Sequence, residues 1–187
     1  CYHTLMKHFL SFIWEIAEIV VIALVTVFLI RTFVLQPFLV RGASMEPNFL
    51  NGDYLLIDEM TYRFRAPERG EVIVFRYPGD VSTYYIKRII GLPSETLVIE
   101  SGKVKIINNT NPEGFWLRED YLIPEIKTAG DERVVLDPNQ YFVLGDNRIF
   151  SFDSRSWGTL NDKNIIGVVR LRLWPLKEIQ TFAAPAY

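Results

Sequence analysis

The chain has 187 residues, with 20 Lys+Arg against 22 Asp+Glu, 49% hydrophobic residues, one Cys and two His. A net charge of −2 leaves no basic excess to neutralise a phosphate backbone, so nucleic acid is not an expected partner. His3 and His8 are the only imidazoles, so the body lacks the base of a Ser-His-Asp or Cys-His hydrolase and the ligands of a His- or Cys-built zinc site. Cys1 alone cannot close an intrachain disulfide, and acid–base work near neutral pH must fall to Asp, Glu, Lys or Tyr.

Residues 9–30 are nearly all apolar, broken by Glu15 and Glu18. At about 1.5 Å per residue they would extend roughly 33 Å as a helix, against a hydrocarbon core of roughly 30 Å, so a transmembrane helix is predicted. Arg31, Thr32 and Phe33 follow in place of the small residues of a cleavage site, so the segment is expected to be retained as an anchor. A mean hydropathy of +0.13 agrees with a lipid bilayer as a partner. Charge gives no clear orientation: Lys7 precedes the segment, while Arg31 and Arg41 follow it.

From residue 33 the pattern changes to short β-type runs punctuated by Gly, Pro, Asn and Asp, at 38–41, 54–57, 71–77, 84–90, 96–100, 103–107, 141–144 and 165–173. These predict a mainly β domain over 33–187 behind a tail and anchor over 1–32. Residues 108–140, rich in turn formers and acidic groups, read as a loop-rich insertion with one hairpin at most.

With His absent, the informative feature is a hydroxyl and a lysine in places where a site could form. Ser44 follows a short strand, with Gly42 before it and Pro47 after it. Lys87 sits inside an apolar strand, where alternation puts Tyr85, Lys87 and Ile89 on one face and Ile86, Arg88 and Ile90 on the other. Such a lysine either reaches solvent or is desolvated. Only the second case serves chemistry, because at a pKa of about 10.4 roughly one lysine in 2,500 is neutral at pH 7. A desolvated lysine beside a serine can activate it as a nucleophile.

Ser44-Met45-Glu46-Pro47, Gly52-Asp53, Tyr85-Ile86-Lys87-Arg88 with Gly91-Leu92-Pro93, and Gly145-Asp146-Asn147-Arg148 with Ser151, Asp153-Ser154-Arg155 and Trp157-Gly158 together resemble the type I signal peptidases. The motifs occur in the family's order behind an N-terminal hydrophobic segment. The resemblance implies a signal-peptidase-like antiparallel β-domain on the outer face of a cell membrane, anchored by one transmembrane helix. It implies a serine endopeptidase that removes signal peptides with small residues before the cut from secretory preproteins, without metal or organic cofactor. Ser44 matches the nucleophile and Lys87 the general base. Ser151 matches the hydroxyl that orients the lysine amine, Arg88 with Asp146 a charged pair beside the site, and Asp153 with Arg155 a structural pair. Gly42 stands where some members carry a hydroxyl residue, so the oxyanion is expected to rely on backbone N–H groups, those of Ser44 and Gly42.

Asn48-Phe49, Ser94-Glu95 and Ile149-Phe150 depart from the usual family residues, the last making its loop drier. A self-cleaving repressor-type Ser-Lys protease would need a DNA-binding domain where this chain has its apolar segment. A non-catalytic anchored β-domain that binds extended peptides is the other alternative, against which the intact Ser44 and Lys87 speak.

Overall fold

The structure, a computed structural model, describes residues 2–33 and 35–185, with side chains of the first helix described over 12–28. Helix α1 (Tyr2–Phe33) precedes β1 (Leu35–Leu39), β2 (Tyr54–Asp58), β3 (Val72–Tyr77), β4 (Asp80–Gly91), β5 (Thr96–Glu100) and β6 (Lys103–Ile107). Then come β7 (Phe115–Trp116), β8 (Glu132–Val135), β9 (Gln140–Leu144), the short α2 (Ser154–Trp157), β10 (Leu160–Asn161), β11 (Ile165–Trp174) and β12 (Gln180–Thr181).

The alternating runs become an eight-stranded sheet in the order β1-β2-β11-β3-β4-β9-β10, with β12 also on β11, and a four-stranded sheet in the order β7-β6-β5-β8. Every pairing is antiparallel. The mainly β expectation therefore holds. The stretch 108–140 forms no hairpin of its own: β7 and β8 add to opposite edges of the second sheet, because Phe115 and Val134 each have an apolar core to pack against.

Three apolar clusters hold the sheets. Val40, Met45, Phe49, Leu55, Ile57, Val72, Val74 and Val169 pack under the loop that carries Ser44. Ile73, Phe75, Ile89, Tyr141, Val143 and Leu160 form a second cluster, with Tyr85 and Trp157 against it. The third joins the two sheets through Ile90, Leu97, Ile99, Val104, Ile106, Leu117, Leu136, Phe142 and Leu144. Strand β4 is central to all three, since Ile86 packs on the first, Ile89 on the second and Ile90 on the third.

Two strand edges frame a cleft. Among the described residues, β9 pairs only residues 88–91 of β4, which leaves 80–87 bonded to β3 alone, and β1 pairs only with β2. Four antiparallel steps separate β1 from β4 in the sheet, so the two run in the same direction.

Among the described residues no helix is long and apolar enough to cross a membrane. The span expected over 9–30 lies partly outside the described side chains, and the part inside, 12–28, contains Glu15 and Glu18. A helix forms there as predicted, and every described side chain on it is exposed.

The second sheet gives a direct test of the core. Ile99 on β5 is fully buried, so Ile99→Ala should lower the unfolding free energy by about 2–5 kcal/mol, read from urea titration of the full chain.

Candidate active site

Ser44 is held by a loop closed at its base, where Val40 N–H donates to Asp53 O at 2.9 Å and Gly52 N–H to Val40 O at 3.0 Å. Asp53 is a buried turn residue: it accepts from Leu50 N–H at 2.9 Å and pairs with Arg172 at 2.9 Å. Gly42 takes φ +94°, a conformation that favours glycine, although a side chain there would meet no neighbour within 4 Å. Its N–H donates to Asn51 Oδ1 at 3.0 Å. That corrects the expectation for the oxyanion donors, since the Gly42 N–H is committed within its own loop. Among the described residues the Ser44 N–H makes no hydrogen bond.

Lys87 comes from the middle of β4 and is 3% exposed. Its Nζ lies 2.7 Å from Ser44 Oγ and 2.8 Å from Ile86 O, with the Tyr85 ring centroid 5.5 Å away. Burial lowers its pKa from the ordinary lysine value to about 8, against the pull of the Asp153 and Asp146 carboxylates, which favour the ammonium. The solvated reading of Lys87 is thus excluded, because the strand face it occupies is roofed by the Ser44 loop.

Ser44 and Lys87 are brought together by the segment that follows β9. Asn147 N–H donates to Ser44 O and Asn147 Nδ2 to Ala43 O, both at 3.0 Å, gripping the loop on either side of the Ser44 peptide nitrogen. Gly145 lies against Ser44 O and the Ser151 side chain so closely that a Cβ would overlap both. Ser151 Oγ has no hydrogen-bond partner among the described residues. It sits beside Asp153, whose carboxylate its polarity favours, and the second contact of the Lys87 amine goes to Ile86 O instead.

Both expected ion pairs form, and both are buried. Asp146, with no exposure, accepts from Arg88 at 2.8 and 2.6 Å and from Asn48 Nδ2 at 2.9 Å. Asp153, equally buried, accepts from Arg155 Nε and Nη2 at 2.8 Å and from Gly145 N–H at 3.0 Å. Burial pushes the Asp153 carboxyl up, but the Arg155 guanidinium and the Gly145 N–H outweigh it and hold the pKa below the usual range. The small contribution of exposed pairs does not apply here: removing one partner of a buried pair costs about 3–5 kcal/mol.

A cleft of about 250 Å³ opens beside the pair, between β1 and β4, with Leu55 and Val74 beneath and Phe152 at its rim. Phe38 and Tyr84 face each other across it with ring centroids 5.7 Å apart. Trp157 packs in the core against Phe75, and Trp174 is exposed at the end of β11. Among the described residues no group of His, Cys, Asp or Glu could hold a metal ion.

Sequence reasoning gave no role to Asn147, Gly145 or Asn48. All three lie within or beside the motifs, but their contacts run to residues about 100 positions away and leave no local periodicity. Gly145→Ala should therefore cost activity by about 100-fold and stability by about 1–3 kcal/mol, because the methyl must displace Ser44 O or Ser151. Peptidase assays and melting curves on the same preparation would check both.

Residues 13–174 match the family model described as "Signal peptidase, peptidase S26". Signal peptidase I of Leptolyngbya laminosa is 36% identical over 165 residues, 83% of this chain and 77% of that protein. Signal peptidase I P of Bacillus subtilis subsp. natto is 34% identical over 171 residues, 86% of this chain and 89% of that protein. A crystal structure of a signal peptidase I from Enterococcus faecalis is 29% identical and overlaps with a TM-score of 0.47, over 56% of this chain and 97% of that one. The chain belongs to the signal peptidase family, peptidase S26, and is a serine peptidase.

Proposed function

We propose that the chain is a membrane-anchored endopeptidase that removes signal peptides from secretory preproteins, with Ser44 as nucleophile and Lys87 as general base. The observation that carries this reading is the 2.7 Å approach of a buried lysine amine to a serine hydroxyl at the end of an apolar cleft. A pKa of about 8 leaves about a tenth of the lysine neutral at pH 7, some two hundred times more than at the ordinary value.

In the proposed cycle an extended peptide lies between the free edges of β1 and residues 80–87 of β4, bonded through its backbone. The narrow cleft, crossed by the Phe38 and Tyr84 rings, favours small side chains before the cut. Neutral Lys87 accepts the Ser44 proton as Oγ bonds to the scissile carbonyl carbon. The carbonyl oxygen takes up the electron pair and is stabilised by the Ser44 N–H. Collapse breaks the C–N bond, and Lys87 gives its proton to the departing amine, leaving an acyl ester on Ser44. Lys87 then accepts a proton from water, hydroxide adds to the ester carbonyl, and the released Ser44 oxygen recovers the proton. Ser151, against Gly145 and Asp153, would act on this pair through packing, and the two buried ion pairs would act as scaffold.

Membrane attachment through residues 1–32 is supported by α1 itself. Trp14, Ile19, Leu24 and Val27, spread around the helix, are each more than 60% exposed, and so much unburied apolar surface favours an apolar surrounding. β1 starts two residues after α1 ends. The cleft of the catalytic domain, 33–187, would then lie at the outer surface where a preprotein emerges.

The test is cleavage of a preprotein with an Ala-x-Ala site by the full chain in detergent. Wild type should cut, and Ser44→Ala and Lys87→Ala should each lose about 10³-fold or more in kcat. A wild type that leaves the preprotein intact, or a variant that cuts at a comparable rate, overturns the reading. The pH dependence has a definite sign: the deprotonated amine is the active form, so kcat/KM should rise tenfold per pH unit below about 8 and level off above it. A profile flat from pH 6 to 10 would exclude Lys87 as a titrating base.

A further inference from the structure

A strap from the second sheet touches each of the three segments that carry the site. Residues 118–127 leave that sheet after Leu117, whose N–H donates to Val104 O at 2.8 Å, and return at Thr128, whose N–H donates to Gly102 O at 3.0 Å. Between these ties, Glu119 and Tyr121 reach across to the first sheet. The Glu119 carboxylate accepts from the buried Arg148 guanidinium at 2.6 and 3.1 Å. The Tyr121 hydroxyl donates to Glu119 at 2.7 Å and accepts from Arg148 at 3.1 Å. The Tyr121 carbonyl accepts from Asn48 Nδ2 at 3.0 Å, and the Arg88 guanidinium carbon stands 4.1 Å from its ring centroid.

Asn48 belongs to the Ser44 loop, Arg88 follows Lys87 on β4, and Arg148 precedes Ser151 by three residues. We propose that Tyr121 is a positioning residue that sets the placement of Ser44 relative to Lys87 by tying Asn48 and Arg88 together. The proposal rests on the Ser-Lys reading above. The contacts form a closed circuit. The Asn48 amide has two N–H bonds, one used on Tyr121 O and the other on Asp146 Oδ2; Asp146 holds Arg88, and Arg88 lies against the Tyr121 ring. The distance from guanidinium to ring is well inside the range of about 6 Å for a cation–π contact, and the pair is shielded from water by the burial of Arg88. Tyr121 touches neither reacting atom. The Asn48 contact is to the Tyr121 backbone and survives a side-chain change, but loss of the ring opens the circuit at Arg88 and frees the Ser44 loop to shift against β4, where a displacement of about 1 Å can lower the rate 10²-fold.

The experiment compares wild type, Tyr121→Leu and Tyr121→Phe as full chains in detergent, measuring kcat and KM on the preprotein alongside thermal melting. Leu keeps bulk and backbone but loses the π face and the hydroxyl. Phe keeps the ring over Arg88. Tyr121→Leu should lower kcat about tenfold or more with KM within about twofold, without a matching loss of melting temperature, and Tyr121→Phe should restore kcat to within about threefold of wild type. Wild-type kcat in Tyr121→Leu, a rise in KM at unchanged kcat, a fall in kcat that only tracks melting, or a Phe variant as slow as Leu would each overturn the proposal. A wild type that leaves the preprotein intact overturns the proposed function, and this inference with it.

Discussion

The desolvation of one amine organises the site. An amine with two buried carboxylates for neighbours, Asp146 and Asp153, would ordinarily be held as an ammonium by them. Each carboxylate instead has an arginine of its own, Arg88 and Arg155, at 2.6 to 2.8 Å. The two ion pairs thus keep the acids from claiming Lys87, which leaves burial as the larger influence. The arrangement carries a stability cost of definite sign. The unfolded chain keeps the Lys87 proton up to the ordinary value, and the folded chain only to about 8. Between those values the unfolded state binds more protons, so this group's contribution to stability rises with pH and is least favourable below about 8.

The enclosure that desolvates Lys87 also fixes Ser44. Met45 and Phe49 anchor the Ser44 loop in an apolar cluster, while Asn147 binds the Ala43 and Ser44 carbonyls from the far side. Gly145 is where the two halves meet, and its missing side chain is what allows Ser44 O and Ser151 to occupy together the space a Cβ would fill. The second sheet, remote from the chemistry, contributes by packing Ile90 and Leu144 on one side and by sending Glu119 and Tyr121 back toward the site.

Much of this was legible in the sequence where a residue's role is local. Alternation in 84–90 located β4 and put Lys87 on the Tyr85–Ile89 face, and the order of the short motifs brought Ser44, Lys87, Arg88, Asp146, Asp153 and Arg155 to one place. β4 begins earlier than expected, at Asp80, because Ser82 and Thr83 are polar residues on a free edge with no core to reveal them. β7 and β8 were hidden because two and four residues cannot establish a period, and only the neighbouring β6 and β5 make them strands. Tyr121 fell inside the stretch read as a loop-rich insertion and drew no reading of its own, since its partners are set by tertiary closure. The Gly42 N–H was misassigned because Asn51, nine residues on, competes for it.

The contacts of Asn147 have a consequence in time. They join residues 103 and 104 positions apart, and the Lys87–Ser44 contact spans 43. Contacts of such separation close late, after the entropy of the long loops has been overcome. A chain still being synthesised, with β9 and the residues after it not yet added, has the serine and the lysine but nothing to hold them in register. Peptidase competence is therefore a property of the finished domain, and a nascent chain is inert until its own fold is complete.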